Sequence, residues 1–127
     1  MALYTLGIYL YGFALRMAAV VHPKARKWVQ GRKRWTETHR RLRASLPVDR
    51  DLFGFHWASL GEFEQARPLI EKIKSNNKET FIHLSFFSPS GFENIKHNFK
   101  DADLITCLPI DSKRNAREFI KLSKPSI

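Results

Sequence analysis

Phe55-His56-Trp57-Ala58-Ser59-Leu60-Gly61-Glu62-Phe63-Glu64-Gln65-Ala66-Arg67-Pro68-Leu69 carries the signature of a buried strand, a tight turn and the start of an amphipathic helix. The run Leu52 to Ala58 is almost wholly apolar, as a strand covered on both faces must be. Phe63, Ala66, Leu69, Ile70 and Ile73 then recur at helical spacing, with Glu64, Arg67, Glu71, Lys72 and Lys74 between them. Ser75-Asn76-Asn77-Lys78 ends that helix.

The same unit repeats downstream. Thr80 to Phe87 reads as a second strand, Ser88-Pro89-Ser90-Gly91 as its turn, and Phe92 to Asn98 as a short helix. Asp103 to Leu108 reads as a third strand, followed by Pro109-Ile110-Asp111 and a helix over Lys113 to Leu122. Alternating strand and helix argue for βαβ units on a parallel sheet, which places all three turns at one sheet edge. The chain ends at Lys124-Pro125-Ser126-Ile127, where a fourth strand is expected to begin. The 127 residues therefore read as the front part of a longer protein.

Upstream, composition changes at Leu46-Pro47-Val48-Asp49-Arg50, and proline disfavours helix in the residue before it. Residues 1–48 hold ten Lys/Arg against one acid, a charge of +9, whereas residues 49–127 are near neutral at +1. The high pI thus belongs to the front. A nucleic-acid-binding domain would carry its charge on the folded unit. Residues 2–21 are apolar and aromatic, broken only by Thr5, Gly7, Gly12 and Arg16, and are about the length that crosses a bilayer as a helix; Tyr4, Tyr9 and Tyr11 suit an interface belt. Lys24, Arg26, Lys27, Arg32, Lys33 and Arg34 follow directly, interleaved with Trp28 and Trp35. A polybasic stretch beside an apolar helix is placed on the cytoplasmic side and drawn to anionic headgroups. Phosphate of nucleic acid would attract the same residues, but the neighbouring apolar helix favours lipid, and no nucleic-acid partner is expected. The expected organisation is a membrane-anchor helix over 1–22, a basic juxtamembrane segment over 23–48 and a sheet domain over 49–127. Whether the first helix spans the bilayer or lies along it stays open.

The lone Cys107 excludes an internal disulfide, and no Cys/His set has zinc spacing. No metal or cofactor is expected, and Cys107 reads as a small core residue. Chemistry is sought at the three turns. Ser59-x-x-Glu62 and Ser90-x-x-Glu93 both match the capping box, and Asp111 reads as an N-cap. The same turns also gather hydroxyls, glycines and a carboxylate where a sugar hydroxyl or an anion could bind. A partly buried Glu62 there could act as a general base toward an alcohol. His56 and His83 lie inside strands and read as packed residues. Arg67 and Arg114 could hold phosphate or carboxylate.

These residues resemble a known family. His56 to Leu69 resembles the signature of bacterial 3-deoxy-D-manno-octulosonic acid (Kdo) transferases; Phe86 to Glu93 resembles that family's second turn and Leu108 to Phe119 its third. The resemblance implies the N-terminal, partial Rossmann-like half of a GT-B glycosyltransferase. It implies Glu62 as the general base that deprotonates a hydroxyl of the lipid A precursor, which attacks Kdo with inversion as CMP leaves CMP-Kdo. Ser59, Gly61, Ser88, Ser90, Gly91 and Arg67 would shape the acceptor side, at the cytoplasmic face of the inner membrane. The family's acidic-Leu-Trp-Pro motif and donor domain are not among these residues, so no turnover is expected from them alone. The alternative is a membrane-anchored module of the same fold that holds an anionic sugar or lipid headgroup without chemistry.

Overall fold

The computed structural model describes residues 2–127. Its elements are α1 (Ala2–Ala18), α2 (Pro23–Arg32), α3 (Trp35–Ala44), β1 (Leu52–Trp57), α4 (Leu60–Asn76), β2 (Phe81–Phe86), α5 (Pro89–Ile95), β3 (Leu104–Cys107) and α6 (Lys113–Ser123). The three strands form one parallel sheet in the order β1-β2-β3. Each strand and helix expected from residue 51 onward is present. The main shift is α5, which begins at Pro89 rather than near Phe92. Proline has its φ preset for a first helical turn and lacks only an N–H that would be unpaired there.

Register divides the sheet into two faces. Phe53, Phe55 and Trp57 stand opposite Ile82, Leu84 and Phe86, and this face packs with Phe63 and Ile70 of α4 and with Ile95 and Phe99. Phe63, Ile82, Leu84 and Phe86 are fully buried. The other face, carrying His83 and Thr106, is covered by α3 and α6: Phe119 stacks on His83 with ring centroids 5.5 Å apart. At the sheet's N-terminal edge Lys74 Nζ donates to Asp103 Oδ2 and to the Thr80 carbonyl, both at 2.8 Å. That edge is closed by structural pairs. The C-terminal edge is left to the turns.

After β3 the chain returns through α6 across the sheet to the free edge of β1. There Ser126 N–H donates to Leu52 O at 2.9 Å and Gly54 N–H to Ile127 O at 2.8 Å. The last residues thus lie beside β1, on the side away from β2. In open α/β sheets the usual ligand position lies outside the C-terminal ends of the strands.

The front of the chain departs from expectation. Helix α1 has 17 residues, about 25 Å at 1.5 Å per residue, against about 30 Å of bilayer hydrocarbon. No helix among the described residues is long and apolar enough to cross a membrane. The chain turns at residues 19–21 and Pro23 opens α2, so the expected anchor over 1–22 is a shorter helix. The basic segment expected over 23–48 contains two helices that pack on the sheet domain. α2 and α3 pack against α5, β3 and α6, burying Ala25, Trp28, Arg32 and His39. Gly12 lets α1 approach the third turn, since a Cβ there would lie 2.6 Å from Ile110 Cδ1.

Candidate functional site

The turns after β1 and β2 meet at the C-terminal edge. Phe87 N–H donates to Trp57 O at 3.0 Å and Ser88 N–H to Ala58 O at 3.2 Å. This zips the first turn to the second and brings Ser59, Gly61 and Glu62 beside Ser88 and Ser90. Leu108 N–H donates to Phe86 O at 2.8 Å, which adds the third turn to the same edge. Parallel pairing alone produces this gathering, because all three strands end together.

Ser59 is the N-cap of α4, its Oγ accepting from Glu62 N–H at 3.4 Å. In return Glu62 Oε2 accepts from Ala58 N–H at 2.8 Å. The capping box forms, displaced by one residue on the return bond. Glu62 is exposed rather than partly buried. Its Oε1 accepts no hydrogen bond from any described residue, so one oxygen fixes the carboxylate and the other is left without a partner on this exposed side chain. A group held this way can accept a proton from an alcohol placed over the turn.

The second turn is built differently. Ser88 is the N-cap position of α5 without a side-chain cap, and its Oγ bonds Ser90 Oγ at 2.7 Å. The Ser90–Glu93 capping box does not form: Ser90 lies within α5, and Glu93 pairs with Lys96 at 2.9 Å. Gly91 is buried, and a Cβ on it would sit 2.7 Å from Phe86 Cδ1. Its role is to let α5 lie close on β2. Gly91→Ala is expected to cost about 1–3 kcal/mol through overpacking, read as a lowered denaturation midpoint. The third turn is capped by Ser112, which accepts from Asn115 N–H at 3.2 Å, in place of Asp111. The Asp111 carboxylate instead accepts from Tyr4 Oη, which raises the Tyr4 pKa above its usual value and ties α1 to this turn.

Arg67 does not reach the edge. It is held by Glu64 at 2.7 Å and lies over the Phe63 and Phe99 rings, on the core side of α4. Arg32, read as lipid-facing, is buried; its Nη2 donates to Phe87 O at 2.7 Å and its guanidinium lies 3.8 Å from the Trp28 ring centroid. Burial lowers its pKa to about 10, so it stays charged at neutral pH. Lys24, Arg26, Lys27, Lys33 and Arg34 are exposed. Arg26 folds back on the Ala19 and Val20 carbonyls and Arg34 approaches Glu37 at 4.0 Å, which leaves Lys24, Lys27 and Lys33 as outward cations. Cys107 is buried against Gly31, and burial raises its thiol pKa to about 11. It is neutral at pH 7 and serves as packing.

Sequence reasoning missed the apolar recess of about 400 Å³ between α1, α2 and the second turn, lined by Tyr11, Leu15, Ala18, Trp28, Phe87 and Pro89. Ser88 opens onto it. The signal was the spacing of Ala25, Trp28 and Arg32 on one face of α2, which carries too few aliphatic residues to be read as core.

Residues 31–127 match the family 3-Deoxy-D-manno-octulosonic-acid transferase (kdotransferase). The chain is similar to the 3-deoxy-D-manno-octulosonic acid transferase of Haemophilus influenzae (strain ATCC 51907 / DSM 11121 / KW20 / Rd), 31% identical over 84 residues, covering 66% of this chain and 19% of that protein. It is also similar to the enzyme of the same name from Aquifex aeolicus (strain VF5), 34% identical over 70 residues, covering 55% of this chain and 19% of that one. The chain spans about a fifth of the length of these curated relatives. No solved structure matches it significantly.

Proposed function

The chain belongs to the 3-deoxy-D-manno-octulosonic-acid transferase family, and on that premise we propose that it is the acceptor-side part of an inverting Kdo transferase. Its three-stranded parallel sheet is taken as the start of a Rossmann-like domain, one half of a GT-B pair. The acceptor is the lipid A precursor and the donor CMP-Kdo, whose site belongs to the length that the relatives have beyond this match. Glu62 removes the proton from the acceptor hydroxyl; that oxygen attacks the anomeric carbon of Kdo; the bond to the CMP phosphate breaks with its electron pair and CMP leaves. Ser59, Ser88 and Ser90 hold neighbouring acceptor hydroxyls. The observation that carries this reading is the Glu62 carboxylate, pinned through one oxygen and free at the other, at the turn after β1 where the strands end together.

Association with the cytoplasmic face of the inner membrane is part of the proposal. Leu3, Leu6, Tyr9, Leu10, Phe13 and Met17 are exposed on α1, and a helix too short to cross can lie in the interface with cations beside it. Lys24, Lys27 and Lys33 would supply those cations.

The test is transfer of Kdo from CMP-Kdo to the lipid A precursor by a full-length family enzyme that carries these residues, with Glu62→Gln as the variant. Transfer at the unchanged rate would remove Glu62 as base and favour the reading in which these turns bind an anionic sugar or headgroup without chemistry. The 127 residues assayed alone are expected to give no transfer.

A further inference from the structure

A second concave site lies between α1, α3 and the start of α6, with a volume of about 570 Å³. Arg16, Arg40 and Arg114 line it, one from each helix, together with Tyr9, Thr36 and Glu118. The fold places them together for local reasons. Gly12 packs against Ile110, and Arg16, four residues on, shares that face of α1. Thr36 and Arg40 are related by the same step on α3, as are Arg114 and Glu118 on α6. None of the three guanidiniums hydrogen-bonds or ion-pairs with a described residue, and Glu118, the one carboxylate in the lining, makes no ion pair with Arg114.

Three guanidiniums against one carboxylate leave the lining of this polar hollow net positive, and none of the three is neutralised by an ion pair within the fold. Guanidinium groups match phosphate geometry, each offering two parallel N–H donors. The hollow also borders the exposed apolar side of α1, through Tyr9. A ligand with a phosphate on an apolar carrier would satisfy both neighbours.

We propose that the α1–α3–α6 hollow binds a phosphomonoester, Arg16, Arg40 and Arg114 holding the dianion. This rests on the acceptor-side reading above and names an anion subsite for it, away from Glu62. The chemistry is shared by a lipid headgroup and by a free phosphate.

The experiment measures binding of the 127-residue chain to phosphatidylcholine vesicles doped with phosphatidic acid, a monoester, or with phosphatidylglycerol, a diester, at matched surface charge. Tighter binding to the monoester vesicles is expected. Arg40→Gln and Arg114→Gln are each expected to reduce that preference by about tenfold, the scale of one charge-assisted hydrogen bond, with little effect on diester vesicles. Lys24→Gln/Lys27→Gln should weaken both equally and serves as a control for general attraction. Equal binding of the unaltered chain to both vesicles overturns the proposal, as does a preference that survives both arginine variants. Inorganic phosphate separates the sources: displacement from monoester vesicles supports a site that also takes free phosphate, and persistence supports the lipid headgroup. No transfer is measured, so unchanged turnover by the Glu62 variant would remove the catalytic reading without touching this result.

Discussion

With Glu62 replaced by Gln, Kdo transfer is expected to fall by about 10²- to 10⁴-fold, the usual contribution of a positioned general base. The substitution separates chemistry from folding. A Gln side-chain oxygen can still accept the Ala58 N–H that Glu62 Oε2 now takes at 2.8 Å, so the helix start keeps its geometry. What disappears is the proposed proton acceptor, along with a negative charge near the N-terminus of α4 worth about 0.3–1 kcal/mol to the fold. The denaturation midpoint should therefore move little while kcat collapses and KM stays near its original value. Glu62→Ala would lose the cap as well and show both effects. A Gln variant that loses stability but retains kcat would mark Glu62 as a capping residue only.

The second large effect is acid sensitivity centred on His39 and His83. The two rings meet edge to face with centroids 5.1 Å apart under Phe119. His39 Nε2 pairs with Ser123 Oγ at 3.0 Å and His83 Nε2 with Thr106 Oγ1 at 2.9 Å. His39 Nδ1 is buried without a partner. The one charged side chain bonded into this packing is Arg43, held by Ser123 O at 3.1 Å. Burial first, and Arg43 second for His39, lower its pKa to about 4; burial, His39 and Arg43 lower that of His83 to about 3. Both rings are neutral in the fold, whereas the unfolded chain takes up their protons near pH 6.5. The folded pKa values are the lower ones, so this contribution is complete above about pH 6.5 and is lost as pH falls through about 4 and about 3. Each tenfold difference in proton affinity between the folded and unfolded chain is worth about 1.4 kcal/mol. The loss therefore amounts to a few kcal/mol, a large part of a typical domain's total stability of about 5–15 kcal/mol. Denaturant midpoints measured from pH 7 to pH 4 should fall, and His39→Gln/His83→Gln should flatten the slope. A midpoint unchanged to pH 4 would contradict this account.

These two sites also show what the sequence made legible. Ser59, Glu62 and the turn around Ser88 follow from the repeat of apolar strand, Ser/Gly turn and amphipathic helix, a pattern fixed by local periodicity. Phe63 and Ile70 were readable as core for the same reason. The front of the chain was not, because burial there is carried by Trp28, Arg32 and His39 instead of aliphatic residues. A guanidinium stacked between Trp28 and Phe87 is indistinguishable in sequence from one that faces solvent. Asp111 was misplaced as a cap because its competitor, Ser112, is adjacent, and the choice depends on Tyr4, 107 positions away. The packing of Arg67 was not legible because stacking on Phe63 and Phe99 requires knowing how α4 and residue 99 meet.

The bond from Arg32 to Phe87 O has a mechanical consequence. It fastens the helical front to the residue immediately before Ser88, and Ser88 N–H is fastened in turn to Ala58 O, next to the Glu62 turn. Two bonds in series thus link the helical front to the turn that carries Glu62. On the proposed reading, the depth at which the front rests on a surface would set the height of Glu62 above it, so a hydroxyl presented too near or too far would miss the carboxylate.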